Sequence, residues 1–161
     1  MATADREAVS EKSRLKSLLQ RWADGKATLK DVRGYSEEEL YAVAKTAYFF
    51  YYQGRINEAR TLFQGLYAIN PLDPYFAKAL GVVELAAGNA TGALAAYDVA
   101  IKLAPSDPSA YVGRAEVRLW QGQKALAIED LRRADGVAQV DDAQKPKISA
   151  MLAALRKELR K

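Results

Sequence analysis

The chain has 161 residues, 50% of them hydrophobic, with 24 basic and 20 acidic side chains. This balance is typical of one globular domain and excludes a disordered tail or a fibrous protein. The sequence contains no cysteine and no histidine. Their absence excludes disulfides, thiolate zinc sites, cysteine nucleophiles and histidine-based catalytic triads.

Charged residues interrupt every apolar run well before the roughly 18 to 20 residues that a membrane-spanning helix needs, so we expect no membrane insertion. The N-terminal region is charged and polar and has no apolar stretch of the kind found in secretory signals, which predicts a cytoplasmic protein. The net charge is +3 over residues 1–33, −3 over 34–146 and +4 over 147–161. Because the basic excess is divided between the two ends, we expect no nucleic-acid partner.

A period of 34 residues runs through the chain. The positions that share it are Gly54, Gly88 and Gly122; Ala59, Ala93 and Ala127; Pro71 and Pro105; and Pro74 and Pro108. An aromatic residue, Phe63 or Tyr97, stands four places after the alanine in the first two repeats. This is the pattern of the tetratricopeptide repeat, a helix-turn-helix unit. The sequence therefore predicts an all-α fold, a short solenoid with three repeats at 40–73, 74–107 and 108–141.

The signals for helix starts are clear along the repeats. Ser36 and Glu39 form a candidate capping box, and Asp73 and Asp107 each precede a proline, which indicates an N-cap followed by proline at the first helical position. With the repeat glycines as helix ends, these signals predict helices near 37–52, 56–69, 74–86, 90–103, 108–120 and 124–138.

One amphipathic helix is predicted on each side of the repeats. The first, at 5–23, has an apolar stripe that some other surface must cover, formed by Ala8, Leu15, Leu18, Leu19 and Trp22. The second, at 146–161, is predicted to cap the last repeat with Ile148, Met151, Leu152, Leu155 and Leu159. A short solenoid needs terminal helices of this kind to cover its open ends.

The first helix of each repeat lines the concave face of a tetratricopeptide stack. Counted from repeat starts at Leu40, Pro74 and Pro108, places 2, 5, 9, 12 and 13 face this groove. They are occupied by Tyr41, Ala44, Tyr48, Tyr51 and Tyr52; by Tyr75, Lys78, Val82, Leu85 and Ala86; and by Ser109, Val112, Glu116, Leu119 and Trp120. A surface rich in tyrosine, with one lysine and one glutamate, favours binding of an extended apolar peptide.

Core packing is the alternative for any single tyrosine of this set, since Phe50 beside them occupies a place that faces the inside of the repeat. Five tyrosines near one end of the groove are more than one short repeat can bury, which favours a binding surface for the set. Lys78 and Glu116 could be solvated charges or polar anchors for a bound main chain, and the sequence leaves both alternatives open.

The first repeat resembles that of a particular family. Residues 36–67, and within them AYFFYYQGRINEA followed by Phe63 and Leu66, are similar to the class II chaperones of bacterial type III secretion, which protect the two hydrophobic translocator proteins. The connector at 25–32, after a short amphipathic helix, is similar too.

The resemblance implies a partner and a binding mode. Such chaperones hold an extended N-terminal segment of a translocator, with a Pro-x-Leu-x-x-Pro type of motif, in the concave groove. Tyr48 and Tyr51 match the groove positions of that family. The family often dimerises through its N-terminal helix, which would give Leu15, Leu18, Leu19 and Trp22 a place in a homodimer; packing of that helix on its own first repeat is the alternative.

A general tetratricopeptide scaffold that joins subunits of an assembly is the alternative function, because the second and third repeats follow the ordinary consensus. An enzyme is not expected. The adjacent carboxylates Glu129 and Asp130, and Asp141 and Asp142, have no partner base and are interpreted as caps and solvated charges. The sequence has neither a phosphate-binding loop nor metal-ligand spacing, so we expect no cofactor and no metal.

Overall fold

The computed structural model describes residues 13–14, 16–21, 23–139 and 142–158, and this part of the chain is helical without strands. Helix α1 covers the helical residues 13–14, 16–21 and 23. The others are α2 (Leu29–Arg33), α3 (Glu37–Tyr52), α4 (Ile56–Ile69), α5 (Pro74–Ala86), α6 (Ala90–Leu103), α7 (Pro108–Trp120), α8 (Lys124–Val137) and α9 (Lys145–Glu158). The predicted all-α fold is confirmed, and the six repeat helices end within one residue of their predicted bounds.

Two differences from the sequence prediction concern the ends. Helix α2 was not predicted, because five residues are too few to show a helical hydrophobic period. Helix α9 begins one residue before its predicted start. Residues 5–12 of the predicted N-terminal helix and 159–161 of the C-terminal helix lie outside the described residues.

The helices begin at the predicted caps. Ser36 Oγ accepts from the backbone N–H of Glu39 at 3.2 Å, and the Ser36 N–H donates to the Glu39 carboxylate at 2.8 Å. Asp73 and Asp107 each accept a backbone N–H two residues on, at 2.9 Å. Asp142 accepts the backbone N–H of Gln144 at 2.8 Å, in the turn before α9. Asp142 therefore stabilises a turn rather than the first turn of the helix, and Asp141 lies outside the described residues.

The turn between the two helices of each repeat depends on glycine. Gly54, Gly88 and Gly122 have φ angles of 77°, 76° and 74°, which is the left-handed region that side chains with a Cβ rarely adopt. Each of the three first helices therefore ends at the same place relative to its repeat.

Successive helices from α3 to α9 pack against their chain neighbours, and α5 also contacts α7. Ala59, Ala93 and Ala127 have no exposed surface, as expected for small residues at the crossing of two helices. The contact between α5 and α7 places first helices of neighbouring repeats side by side. This arrangement is a solenoid with one face made of first helices.

A single aromatic ring fills the space between α5 and α7. Tyr97 of α6 is 2% exposed, and its ring lies against Gly81 on one side and Gly113 on the other. A Cβ added to Gly81 would come within 2.9 Å of three ring carbons, and one added to Gly113 would be closer still. The two glycines are therefore required for the close approach of the helices to the ring.

Two buried carboxylates are satisfied by neighbouring helices. Glu84 accepts from Arg60 at 2.9 Å, Gln64 at 3.0 Å and Asn89 at 2.7 Å. Burial alone would raise the pKa of Glu84, but the hydrogen bonds from these donors outweigh it and hold the pKa below its usual value.

Asp130 is the second buried carboxylate, with 1% of its surface exposed. Arg114 donates to it through two nitrogens, at 3.0 and 2.6 Å, and Arg118 lies 2.8 Å away. The interpretation of Asp130 as a solvated charge is therefore wrong, because both arginines come from α7 and sequence spacing within α8 gives no sign of them. Glu129 beside it is exposed, as predicted.

No helix in the described ranges is long and apolar enough to cross a membrane.

We expect Gly113→Ala to lower the free energy of unfolding by about 1 to 3 kcal/mol, because the new methyl group overlaps the Tyr97 ring. Gly136→Ala is the matched control: Gly136 lies in α8 with open space around an added Cβ. That change should raise stability by about 0.5 to 1 kcal/mol, as alanine usually does within a helix. Urea unfolding followed by circular dichroism measures both. Equal stability of Gly113→Ala and the parent would contradict the packing described for Tyr97.

Candidate functional site

The groove formed by α3, α5 and α7 contains most of the residues predicted to line it. Its members with a half-buried side chain are Tyr41, Tyr48, Tyr51, Tyr75, Lys78, Val82, Leu85, Ser109, Glu116 and Leu119. Tyr52, Ala86 and Trp120 are exposed. The half-buried state suits a binding surface, because these side chains are held in place by the fold while one side stays accessible.

Two of the predicted groove residues are not accessible. Ala44 has no exposed surface and Val112 has 2%, and both belong to buried hydrophobic clusters. Their assignment to the groove lining is therefore wrong. The physical reason is that each side chain packs into a buried cluster with residues of the second helix of its own repeat. Lys78, at the same place in the second repeat, extends instead to the N-terminal end of α7.

The tyrosines form one continuous aromatic cluster. The ring of Tyr48 lies 6.5 Å from Tyr51, 6.2 Å from Tyr52 and 6.3 Å from Tyr75, measured between centroids. Tyr41 joins the cluster through Tyr75, at 5.2 Å. Most of these contacts are edge-to-face, the arrangement that aromatic pairs prefer.

Core and groove functions are divided among these rings. Tyr48 packs edge-on against the buried Phe63, with centroids 4.9 Å apart, so it supports the core as well as the groove. Tyr52 is 80% exposed and contributes mainly accessible surface. Both alternatives left open by the sequence are thus realised, by different members of the same cluster.

The charged residues of the groove are paired within the protein. The Lys78 ammonium lies 2.6 Å from Asp107 and donates to Ser109 Oγ at 2.8 Å, which joins α5 to the cap of α7. Burial would raise the pKa of Asp107, but hydrogen bonds from Lys78 and Ser109 outweigh it and lower the pKa. Lys78 is therefore an inter-repeat link rather than a solvated charge.

Glu116 forms the corresponding link at the C-terminal end. Its carboxylate lies 2.6 Å from the ammonium of Lys147 in α9. Helix α9 packs on α8 through Ile148, Leu152 and Leu155, and so covers the last repeat. Because both charged partners are partly exposed, this pair contributes little to stability. Its effect is to make this end of the groove polar.

Tyr97 lies buried between α5 and α7, two of the helices that form the groove, at a place where the sequence showed only the repeat pattern. Burial raises the pKa of its phenol, and nearby Glu116, Tyr48 and Tyr51 raise it further. One sequence signal was available: the equivalent places carry Phe63 and Leu131, which have no hydroxyl, and a buried tyrosine usually directs its hydroxyl to a polar boundary.

A second apolar concavity lies between α3 and α4, outside the predicted groove. It has a volume of about 360 Å³ and is lined mainly by apolar residues, among them Tyr35, Leu40, Val43, Leu62, Leu66 and Ile69. Tyr35 and Val43 are exposed, so the N-terminal end of the solenoid has an apolar surface.

The predicted dimer residues are described only in part. Leu18 is half-buried beside Arg14, Arg21 and Asp31, while Leu19 is 61% exposed. Leu15 and Trp22 lie outside the described residues. Of the two described leucines, Leu18 lies near α2 of its own chain and Leu19 is directed to solvent.

Alkaline titration is expected to report the buried tyrosines. Burial and a hydrogen bond to Asp73 raise the pKa of Tyr41 to about 12, and burial raises the pKa values of Tyr48, Tyr75 and Tyr97. In the unfolded chain these phenols ionise near pH 10. The folded state then binds more protons, so its stability should fall as the pH rises above about 10.

Absorbance at 295 nm and circular dichroism, recorded on one sample, test this expectation. At pH 11 the folded protein should show less phenolate than nine fully ionised tyrosines would give. The remaining tyrosines should ionise only as the helical signal is lost. Full ionisation below pH 11 with intact helices would contradict it.

Comparisons with known proteins agree with this geometry. The family described as tetratricopeptide repeat matches residues 45–108 and 78–143, more than half of the chain. Chaperone protein SicA of Salmonella typhimurium is 32% identical over 101 residues, which are 62% of this chain and 61% of SicA. The chain thus spans less than two thirds of the length of that relative.

Solved structures have the same fold. The type III secretion chaperone SycD of Yersinia enterocolitica, in complex with a peptide of the translocator YopD, is 25% identical with a TM-score of 0.70, over 76% of this chain and 96% of that chain. A T3SS complex from Aeromonas hydrophila has a TM-score of 0.80 at 21% identity, over 90% of this chain and 98% of that chain, which shows the fold. The chain belongs to the tetratricopeptide-repeat family, and SicA and SycD are its chaperone relatives.

Proposed function

We propose that this protein is a cytoplasmic chaperone of bacterial type III secretion, which binds an extended apolar segment of a translocator protein in its concave groove. It would keep such proteins soluble and apart before secretion. The observation that carries the proposal is the tyrosine cluster of Tyr48, Tyr51, Tyr52 and Tyr75 in that groove. SycD, a relative of the same fold, is known in complex with a translocator peptide.

The chemistry of the cluster supports this partner. Tyrosine offers a large apolar face and a polar tip, and it loses little side-chain entropy when it is fixed by a ligand. Spaces between tyrosine rings can take proline and leucine side chains, while the hydroxyls can bind main-chain groups of an extended peptide.

A binding role also fits the polar residues. Lys78 and Glu116 are each paired with another side chain, and the buried carboxylates Glu84 and Asp130 are held by arginines. A general acid or base needs access to a substrate, and these groups are committed to links between helices. We therefore propose a protein without catalytic activity.

Replacing Tyr51 and Tyr52 together with alanine should weaken the binding of a synthetic Pro-x-Leu-x-x-Pro peptide by about 1 to 3 kcal/mol per site. Neither side chain is fully buried, so the fold should remain intact. Isothermal titration calorimetry measures the affinity. Phe49→Ala is the control, because Phe49 is 59% exposed on the same helix but is not one of the groove residues.

Tyr48→Ala should weaken binding and also lower the melting temperature, since its ring packs on Phe63. A folded parent protein that binds no such peptide at millimolar concentration would contradict the chaperone proposal. A general scaffold joining subunits of an assembly would then be the better explanation, in agreement with the ordinary consensus of the second and third repeats.

We also propose that the protein forms a homodimer through the N-terminal helix, in which Leu19 has the most accessible side chain of the leucines described there. Leu19→Asp should convert the dimer to a monomer, because a carboxylate cannot be buried in an apolar interface without a partner. Multi-angle light scattering gives the mass. Leu72→Asp, which changes another exposed leucine, should leave the mass unchanged. A dimer that survives Leu19→Asp would contradict the role of this helix.

A further inference from the structure

The last helical residue of each first helix occupies an equivalent position. Tyr52, Ala86 and Trp120 end α3, α5 and α7, and each stands two residues before a left-handed glycine. The residues after them have nearly identical backbone angles, with φ between −83° and −78° and ψ of 0° or 1°. Because the helix ends are equivalent, the three side chains form one row along the turn-side edge of the groove.

This row is apolar and accessible. Tyr52 is 80% exposed and Trp120 is 65% exposed, with the small Ala86 between them. The preceding residue of each helix is also apolar and half-buried: Tyr51, Leu85 and Leu119. We call these six residues the turn-side strip. It begins at the tyrosine cluster and continues across all three repeats.

Apart from Val82, the remainder of the groove floor becomes polar after the first repeat. Lys78, Asp107 and Ser109 form one linked group on α5 and α7, and Glu116 with Lys147 forms another on α7 and α9. An apolar side chain placed on these groups would remove charged atoms from water without replacing their hydration, which is unfavourable. An apolar ligand that extends beyond the tyrosine cluster therefore finds most of its favourable surface on the turn-side strip, with Val82 beside it.

Trp120 has no evident part in holding the fold together. It is the most exposed large hydrophobic residue of α7, and the buried cluster that includes neighbouring residues of α7 does not contain it. Exposing an indole ring to water is costly, and tryptophan is among the residues most enriched at binding hot spots. Its place at the far end of an apolar strip would let a ligand bound along that strip cover it.

We propose that Trp120 is a second anchor for the same extended segment, and that it binds an apolar side chain of the partner at a fixed distance from the part held by the tyrosines. This inference rests on the proposed function. Packed helices lie about 8 to 10 Å apart, so two steps from Tyr52 to Trp120 cover roughly 20 Å. An extended chain advances about 3.3 Å per residue, so the second apolar residue follows about six residues from the first.

The test compares synthetic peptides with one binding core. The short peptide contains only the Pro-x-Leu-x-x-Pro core. Two longer peptides add six polar residues and one leucine, either before or after the core, and two matched peptides have serine in place of that leucine. We expect one of the leucine peptides to bind the parent protein about tenfold more tightly than its serine counterpart.

Protein variants then locate the added contact. Trp120→Ala should abolish the difference in affinity between the leucine and serine peptides, which is the leucine advantage, and leave the affinity for the short peptide unchanged. Trp120→Phe should retain most of the leucine advantage. Leu72→Ala, at an exposed leucine of the loop before α5, should leave both affinities unchanged. Tryptophan emission of the parent should shift to the blue with the leucine peptide, and the shift should be absent in Trp120→Ala.

The outcomes separate the two proposals. If the short peptide does not bind, the proposed function itself is contradicted. If the short peptide binds but neither leucine peptide exceeds its serine counterpart, or if Trp120→Ala keeps the leucine advantage, the second anchor is wrong and the chaperone function stands.

Discussion

The packing of Tyr97 between Gly81 and Gly113 is the contact on which the rest of this structure depends. Its ring comes from a second helix yet fills the space between two first helices, and neither helix could approach it with a side chain in place of the glycine. The two helices that hold the ring, α5 and α7, also form part of the groove, so one buried side chain joins the core to the groove walls. The spacing of the groove walls is therefore set by the core.

Polar contacts between repeats determine which parts of the groove stay apolar. Lys78 is satisfied by the cap of the next first helix, and Glu116 by the C-terminal helix. Because Lys78 and Glu116 are paired within the protein, the groove offers a ligand mainly aromatic and aliphatic surface. This favours a ligand that is bound by its apolar side chains.

Much of the fold could be predicted from the sequence because its signals are local. Caps at Ser36 and Asp107 and the glycine after each first helix act within four residues of themselves, and they fix where helices begin and end. The groove could be predicted only in outline. Ala44 shares its repeat place with Lys78, yet it packs in a buried cluster with residues of α4, so counting along one repeat assigned it wrongly.

The sequence by itself determined the period, the helices and the concentration of tyrosines in the first repeat, since each of these depends on residues close together in the chain. Only the tertiary structure decided which charges are free and which are paired. Asp130 is held by arginines of the preceding helix, and Glu116 by a lysine of the last one. Such pairs depend on distances across helices from different parts of the chain, and a local pattern contains no measure of those distances.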